Sequence, residues 1–205
     1  MYTPDLELST PRLKLLLPRA GDAALILDYV SRNKKFHTDT NPVASPDFYT
    51  ESFWNDRIEQ LRDEYHGDHS LRLYMSLHED PSRFIGAASL SQITRGPLQA
   101  CYLGYTLDCE AEGKGLMTEA LKTVIAYAFD SMHLHRIMAN HLPENKRSAN
   151  VLARLGFRID GSTPDYLFIN GKWREHVMTS LTNPNWRPRE EDRAMFEDLR
   201  TPSTN

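Results

Sequence analysis

Two glycines at the start of a predicted helix are the feature of this sequence most suited to binding a ligand. Gly113 and Gly115 flank Lys114, and apolar residues recur at helical spacing over residues 116–132. A glycine-rich turn that enters a helix exposes unpaired backbone N–H groups at the positive end of the helix dipole. The natural ligand is therefore a phosphorylated cofactor. The alternative is a tight turn that serves only to start a core helix.

The spacing of these glycines excludes two common phosphate-binding motifs. The turn lacks the Gly-x-Gly-x-x-Gly fingerprint of dinucleotide-binding folds, and it lacks the Gly-Lys-Ser/Thr ending of a P-loop. On spacing alone the turn predicts an anion site without specifying the cofactor.

The elements that must position this turn are read from hydrophobic periodicity. Three successive strands before the turn are expected to form an antiparallel meander, and the last two strands are expected to form a hairpin with a long excursion between them. Strands are predicted at residues 10–18, 71–77, 83–90, 99–107, 136–141, 157–162 and 174–181, and helices at residues 22–32, 47–66, 116–132 and 146–155.

Composition predicts one compact domain in a reducing compartment. The 205 residues are 40% hydrophobic, which is enough for a sizeable core. From residue 184 onward Pro, Arg and Glu accumulate, so we expect a domain over residues 1–183 and a peripheral tail over residues 184–205. Cys101 and Cys109 would lie roughly 26 Å apart along an extended segment, too far for a disulfide. They indicate reduced thiols and a cytoplasmic protein.

Charge and motif content argue against several other classes. With 24 basic and 28 acidic residues the net charge is -4, so strong direct binding to nucleic acid or to an anionic membrane is not expected. No run of 18 apolar residues and no export-type start is present. The cysteines and histidines lack the spacing of a metal site, so no metal is expected.

The order of these elements and the motifs within them resemble the GNAT family of acetyltransferases. The turn and helix at residues 113–121 resemble the pyrophosphate loop of that family, and Asn145-x-x-Ser148 with Leu155-Gly156-Phe157 resembles its second conserved element. A narrower resemblance, to the RimJ/RimL family of ribosomal-protein N-acetyltransferases, is carried by residues 135–140, 145–148, 152–157, 165–167, 173–177 and 183–186. The resemblance implies an α+β GNAT fold, with one twisted, mostly antiparallel mixed sheet of about seven strands flanked by about four helices.

The same resemblance implies acetyl-CoA as co-substrate and no metal. The backbone of residues 105–107 would pair with the pantetheine arm and polarise the acetyl carbonyl. Asn145 would contact the coenzyme, with a helix N-cap as the alternative. Glu110, close to the pyrophosphate loop, is expected to point away from it. The residues implied to bind the coenzyme are Tyr105, Thr106, Leu107, Glu112, Gly113, Lys114, Gly115, Leu116, Met117, Thr118, Asn145 and Ser148.

Two catalytic residues also follow from the resemblance. Asp165 falls near the position of a Glu that removes the proton of the amine, and its alternative is a turn residue beside Pro164. Ser148 matches a serine that protonates the thiolate, and its alternative is a first-turn helix residue. His176 lies on the last predicted strand, near the expected acceptor groove, where a structural role is equally compatible.

The function implied is transfer of acetyl to the N-terminal alanine of a small-subunit ribosomal protein, by direct attack in a ternary complex. A protein α-amine, with a pKa of about 7.7 to 8.0, loses its proton far more readily than lysine. The assembling small ribosomal subunit is a further expected partner, and the chain is expected to be a monomer or weak dimer. Two alternatives remain open: an acetyltransferase for a small-molecule amine, and a ribosome-assembly or regulatory module with a secondary acetyl-CoA site.

Overall fold

A computed structural model describes residues 6–190 of the chain. Within that range the chain forms eight strands and five α-helices. The strands are β1 (Glu7–Ser9), β2 (Leu13–Leu16), β3 (Leu71–Leu77), β4 (Asp80–Thr94), β5 (Ala100–Leu107), β6 (Arg136–His141), β7 (Arg158–Ile169) and β8 (Lys172–Thr182). The helices are α1 (Ala23–Arg32), α2 (Lys34–His37), α3 (Glu51–His66), α4 (Leu116–Ala126) and α5 (Lys146–Arg154).

The eight strands form one sheet in the order β1-β2-β3-β4-β5-β6-β8-β7. All neighbours are antiparallel except β5 and β6, which are parallel. This parallel pair is short, because only Ala100–Tyr102 of β5 pairs with Arg136–Met138 of β6. Beyond Tyr102 the two strands separate, so the sheet is split in its middle.

Helices cover the sheet on both faces, which we name by the helices that pack there. On the α4 face, α4 and α5 pack against strand residues such as Leu103 and Ile137. On the α1 face, α1 and α3 pack against residues such as Tyr74 and Ala87. Side chains alternate between the two faces along each strand, so the face of every strand residue follows from its register.

The α+β class and the antiparallel meander are as predicted, but the strand count differs. The predicted strand over residues 10–18 is one arm of a hairpin, because the chain before it forms β1, whose Leu8 pairs with Leu15. A strand of three residues is too short to show periodicity, so sequence reasoning missed it. It also missed α2, which has four residues.

Two predicted helix boundaries also change for local reasons. The helix expected from residue 47 begins at Glu51, because the Thr50 side chain accepts a bond from the Phe53 N–H at 3.3 Å and caps it. A short 3-10 turn, Pro46–Tyr49, precedes that cap. The helix expected to reach residue 132 is α-helical to Ala126 and then widens into a π-helical turn, Tyr127–Ser131.

The expected long excursion between the last two strands is wrong. β7 and β8 form one continuous hairpin, closed by the two residues Asn170 and Gly171, which both have positive φ. The register of β7 shifts between Ile159 and Gly161 and again between Thr163 and Leu167. These bulges accommodate the residues that, in the sequence, interrupt the strand pattern.

The predicted peripheral tail begins against the domain. The Trp186 indole N–H donates to the His133 carbonyl at 2.9 Å, and its ring lies 5.7 Å from that of His135. Residues 191–205 of that tail lie outside the described residues, so the domain boundary at residue 183 stays a prediction. In the described part of the chain, no helix combines the length and apolar character needed to cross a membrane.

Candidate active site

A cavity of about 1000 Å³ occupies the split between β5 and β6. Residues from both faces of the sheet line it, together with the glycine turn and the start of α5. Most of the residues predicted to bind a coenzyme lie on its wall: Tyr105, Thr106, Leu107, Glu112, Gly113, Gly115, Leu116, Met117, Thr118, Asn145 and Ser148. Lys114 and Asp165 do not line it.

The glycine turn has the backbone conformation of an anion site. Gly113 and Gly115 adopt φ values of +73° and +75°, which side-chain-bearing residues rarely adopt, and Gly115 is the N-cap of α4. The first bond of the helix runs from the Glu119 N–H to the Gly115 carbonyl at 3.1 Å. The N–H groups of Leu116, Met117 and Thr118 therefore have no acceptor within the helix and can bind an anion.

A carboxylate in the first turn of α4 fastens this loop to the start of β2. Glu119 accepts bonds from the Thr10 hydroxyl at 2.6 Å, the Arg12 backbone N–H at 2.9 Å and the Arg12 Nε at 2.6 Å. The same guanidinium donates from Nη1 to the Lys114 carbonyl at 3.0 Å. We call these groups the Arg12–Glu119 clamp. Lys114 itself is exposed, so its backbone rather than its ammonium belongs to the loop architecture.

At the start of α5, Asn145 and Ser148 fulfil both the capping and the cavity-lining roles that the sequence allowed. Asn145 Oδ1 accepts the Ser148 N–H at 3.1 Å and so caps the helix, while both residues line the cavity. The Ser148 hydroxyl lies 2.8 Å from that of Tyr105. Burial raises the pKa of Tyr105 to about 12, so this phenol is protonated at neutral pH.

The β5 residues that line the cavity divide between the two faces of the sheet. Tyr105 and Leu107 point to the α4 face, whereas Gly104 and Thr106 point to the α1 face. The Tyr29 hydroxyl, on α1, donates to Thr106 Oγ1 at 2.8 Å and fixes this strand from the second side. One strand thus presents alternate residues to the two halves of the cavity.

The far end of β5 is held by a histidine that sequence reasoning missed. His37 Nε2 lies 3.0 Å from the Leu107 carbonyl, and since a carbonyl only accepts, the imidazole N–H donates. Burial lowers the pKa of His37, which favours the neutral ring. His37 belongs to no periodic pattern or motif that would mark it as a site residue.

An ion pair lies at the mouth of the cavity, beside the glycine turn. Arg147 forms an ion pair with Glu112 and lies 4.9 Å from the centre of the Phe36 ring, so it joins the turn to α2. Glu110 points away from the loop, as predicted, because its carboxylate pairs with Arg83 at 2.7 Å. Arg147 was not among the predicted site residues.

The α1-face half of the cavity contains a buried histidine. His176 on β8 is 3% exposed, and its Nδ1 donates to the Arg174 carbonyl at 3.1 Å. Its ring lies 5.5 Å from that of Tyr166. Burial and the nearby Tyr102 hydroxyl raise the pKa of Tyr166. Asp165 precedes Tyr166 in the second β7 bulge, exposed and with φ of +48°, and its catalytic role stays a prediction.

The comparison with known families decides the class of the protein. Residues 12–158 match the acetyltransferase (GNAT) domain family. The chain belongs to the GNAT acetyltransferases. The GNAT resemblance seen in the sequence is therefore confirmed, and the enzyme is an acyltransferase.

Relatives of this GNAT enzyme lie in the RimJ/RimL group. It is 42% identical over 90% of its length, and 95% of the relative's, to the [ribosomal protein uS5]-alanine N-acetyltransferase of Escherichia coli K12. The crystal structure of the ribosomal-protein-S5-alanine acetyltransferase of Vibrio fischeri superposes with a TM-score of 0.86 and 36% identity, covering 90% of this chain and all of that one. Mycobacterium smegmatis RimJ in complex with CoA-disulfide superposes with a TM-score of 0.80 and 26% identity, covering 96% and 94% of the two chains.

Proposed function

We propose that this enzyme transfers the acetyl group of acetyl-CoA to the N-terminal α-amine of a ribosomal protein, with the alanine terminus of a small-subunit protein as acceptor. The observation that carries the proposal is the divided cavity. An anion-binding turn and a serine hydroxyl lie on the α4 face, and an open half with a buried imidazole lies on the α1 face. The names of the Escherichia coli and Vibrio fischeri relatives support the choice of acceptor.

The residues of the α4 face suit the coenzyme. The N–H groups of Leu116, Met117 and Thr118 would hold its pyrophosphate, and the cavity volume of about 1000 Å³ is large enough for the pantetheine arm. Bound acetyl-CoA supplies an activated thioester. The unpaired edge of β5, held by Tyr29 and His37, would orient the acetyl carbonyl.

The α1 face would receive the acceptor while the coenzyme is bound, because the split opens the cavity to both sides of the sheet. This arrangement supports direct attack of the amine on the thioester in a ternary complex. Ser148, held by Tyr105 at 2.8 Å, would deliver a proton to the leaving thiolate. We place the reaction in the cytoplasm, and the monomer or weak dimer stays a prediction.

The proposal is tested by thiol release from acetyl-CoA with a peptide that begins with free alanine. The control peptide has the same sequence, a blocked N-terminus and internal lysines. We expect release only with the free terminus. Thiol release with small amines but with neither peptide would show that the acceptor is a small molecule. The absence of turnover with every amine would favour the binding-module alternative.

A further inference from the structure

His176 is a buried imidazole whose tautomer is fixed by one hydrogen bond. Its Nδ1 must carry the proton, because its partner at 3.1 Å is the Arg174 carbonyl, which can only accept. In the neutral ring, Nε2 therefore keeps its lone pair. Within residues 6–190 the Nδ1 bond is the only hydrogen bond of this side chain, and the residue lines the cavity. The site thus contains an unused basic nitrogen.

Strand register places this nitrogen opposite the serine. His141 on β6 is paired with Val177 on β8, and Ala139 with Thr179, so Val177 and Thr179 share the α4 face with Ala139. The β7–β8 pairs Ser162–Val177 and Thr163–His176 follow one another without a register shift, so His176 points to the α1 face. Ser148 on α5 lies on the α4 face. The two groups flank the split from opposite sides.

We propose that His176 Nε2 accepts the proton released by the attacking amine; this inference rests on the proposed acetyl transfer. The amine nitrogen bonds to the carbonyl carbon, the C–S bond breaks, and the electron pair of that bond leaves on sulfur. The amine proton passes to Nε2, directly or through one water, and Ser148 gives its hydroxyl proton to the thiolate. Exchange with solvent returns both side chains to their starting state.

The surroundings of His176 suit this role better than those of Asp165. Tyr166 packs against the imidazole, and Arg174, whose carbonyl accepts the Nδ1 proton, forms an ion pair with Glu144. The ring is thus positioned by its Nδ1 bond and by the Tyr166 ring, and it lines the half of the cavity that would receive the amine. Asp165 is exposed outside the cavity wall, so it would need a longer solvent path to the same proton.

His176→Asn separates the proposed chemistry from a structural role. An asparagine amide can still donate to the Arg174 carbonyl, as Nδ1 does, but it removes the basic nitrogen. Ser180→Ala is the control, because Ser180 is a buried polar residue on the same face of β8 and its hydroxyl donates to Asp160 at 3.0 Å, but it lies outside the cavity wall. Asp165→Asn tests the competing base.

The measurements are single-turnover acetyl transfer, acetyl-CoA binding by calorimetry, and thermal melting, with the free-alanine peptide or with whichever small amine the wild type uses. For H176N we expect transfer to slow by about 10²-fold or more, as for loss of a general base, with unchanged acetyl-CoA affinity. S180A and D165N should slow by only a few-fold.

Transfer by folded H176N within a few-fold of wild type would overturn the inference, as would a greater loss in D165N than in H176N. If H176N melts more than about 10 °C below wild type, which corresponds to about 3 kcal/mol or more for a chain of this size, His176→Gln is scored by the same criteria. If the wild-type enzyme acetylates only small amines, the proposed acceptor is refuted. The role of His176 is then still tested by comparing H176N with wild type on that amine.

Discussion

Replacing Glu119 by glutamine should loosen the glycine turn without touching the cavity wall. The carboxylate accepts bonds from Thr10 and from the backbone and guanidinium of Arg12, at distances of 2.6 to 2.9 Å. Arg12 in turn holds the Lys114 carbonyl. Glutamine keeps the shape of the side chain but loses its charge and one of its two acceptor oxygens. The Arg12–Glu119 clamp therefore weakens on both strand and loop sides.

The stability lost in E119Q can be estimated from the bonds of Glu119 and from the exposure of Arg12. Hydrogen bonds to a charged group contribute about 1.5–3 kcal/mol and neutral ones about 0.5–1.5 kcal/mol. The Arg12 side chain is 48% exposed, so its ion pair with Glu119 adds no more than about 1 kcal/mol. A negative charge in the first helical turn adds about 0.3–1 kcal/mol. We expect a loss of about 1–3 kcal/mol, which lowers Tm by about 3–10 °C for a chain of this size.

The loss should depend on pH with a definite sign. Burial opposes ionisation of Glu119, but the bonds from Thr10 and Arg12 prevail and lower its pKa. A lowered folded-state pKa stabilises the protein above the unfolded value of about 4.3, and that stabilisation is lost as pH falls through the folded pKa. The Tm difference between wild type and E119Q should be full at pH 7 and should shrink below about pH 4.

The assay compares melting at several pH values and the KM for acetyl-CoA, which should rise in E119Q because the turn is less ordered. Glu7→Gln is the control, since Glu7 pairs with Lys14 at 3.0 Å on the surface and should cost under about 1 kcal/mol. An E119Q enzyme with the Tm and KM of the Glu7 variant would show that the clamp does not order the loop.

Two further substitutions test the walls of the cavity. Tyr105→Phe removes the hydroxyl that lies 2.8 Å from Ser148, so we expect kcat to fall by up to about tenfold while the lost bond costs only about 1 kcal/mol; an unchanged kcat would contradict this. Gly86→Ala places a Cβ 2.8 Å from the Thr106 carbonyl, which cannot rotate away, so β5 must shift at a cost of about 1–3 kcal/mol. Gly104→Ala, whose Cβ meets only a side-chain hydroxyl at 3.1 Å, should melt higher than G86A.

The sequence predicted the glycine turn, the helix it begins and the antiparallel meander, because each depends on residues close together in the chain. Gly113 and Gly115 do adopt the positive φ that their type allows, and the apolar residues after them do face the core. The same local logic offered the N-cap role of Asn145 as the alternative to a coenzyme contact, and Asn145 does cap α5. Local signals of this kind survive folding when tertiary contacts do not oppose them.

The features of the fold and site that were not predicted depend on contacts between residues far apart in the sequence. Arg12 and Glu119 are 107 positions apart, and Tyr29 and Thr106 are 77 apart, so no spacing pattern could pair them. The β7 bulges keep the strand continuous beyond residue 162, where the predicted strand ended. Asp165 was placed by resemblance, and its position outside the cavity wall depends on that bulge, which periodicity cannot reveal.

In the proposed reaction, the division of the cavity would let one short strand segment contact both substrates. β5 is paired along its length with β4 but loses β6 after Tyr102, so its free edge faces a gap rather than a neighbour. Because side chains alternate, Tyr105 and Thr106 face opposite sides although they are adjacent in sequence. A leaving group that departs on the side of Tyr105 and a nucleophile that arrives on the side of Thr106 would then meet at the backbone between them. A one-residue slip of β5 would exchange the two faces, so in the proposed reaction the contacts of Tyr29 on α1 and Ser148 on α5 with β5 would also determine which side each substrate occupies.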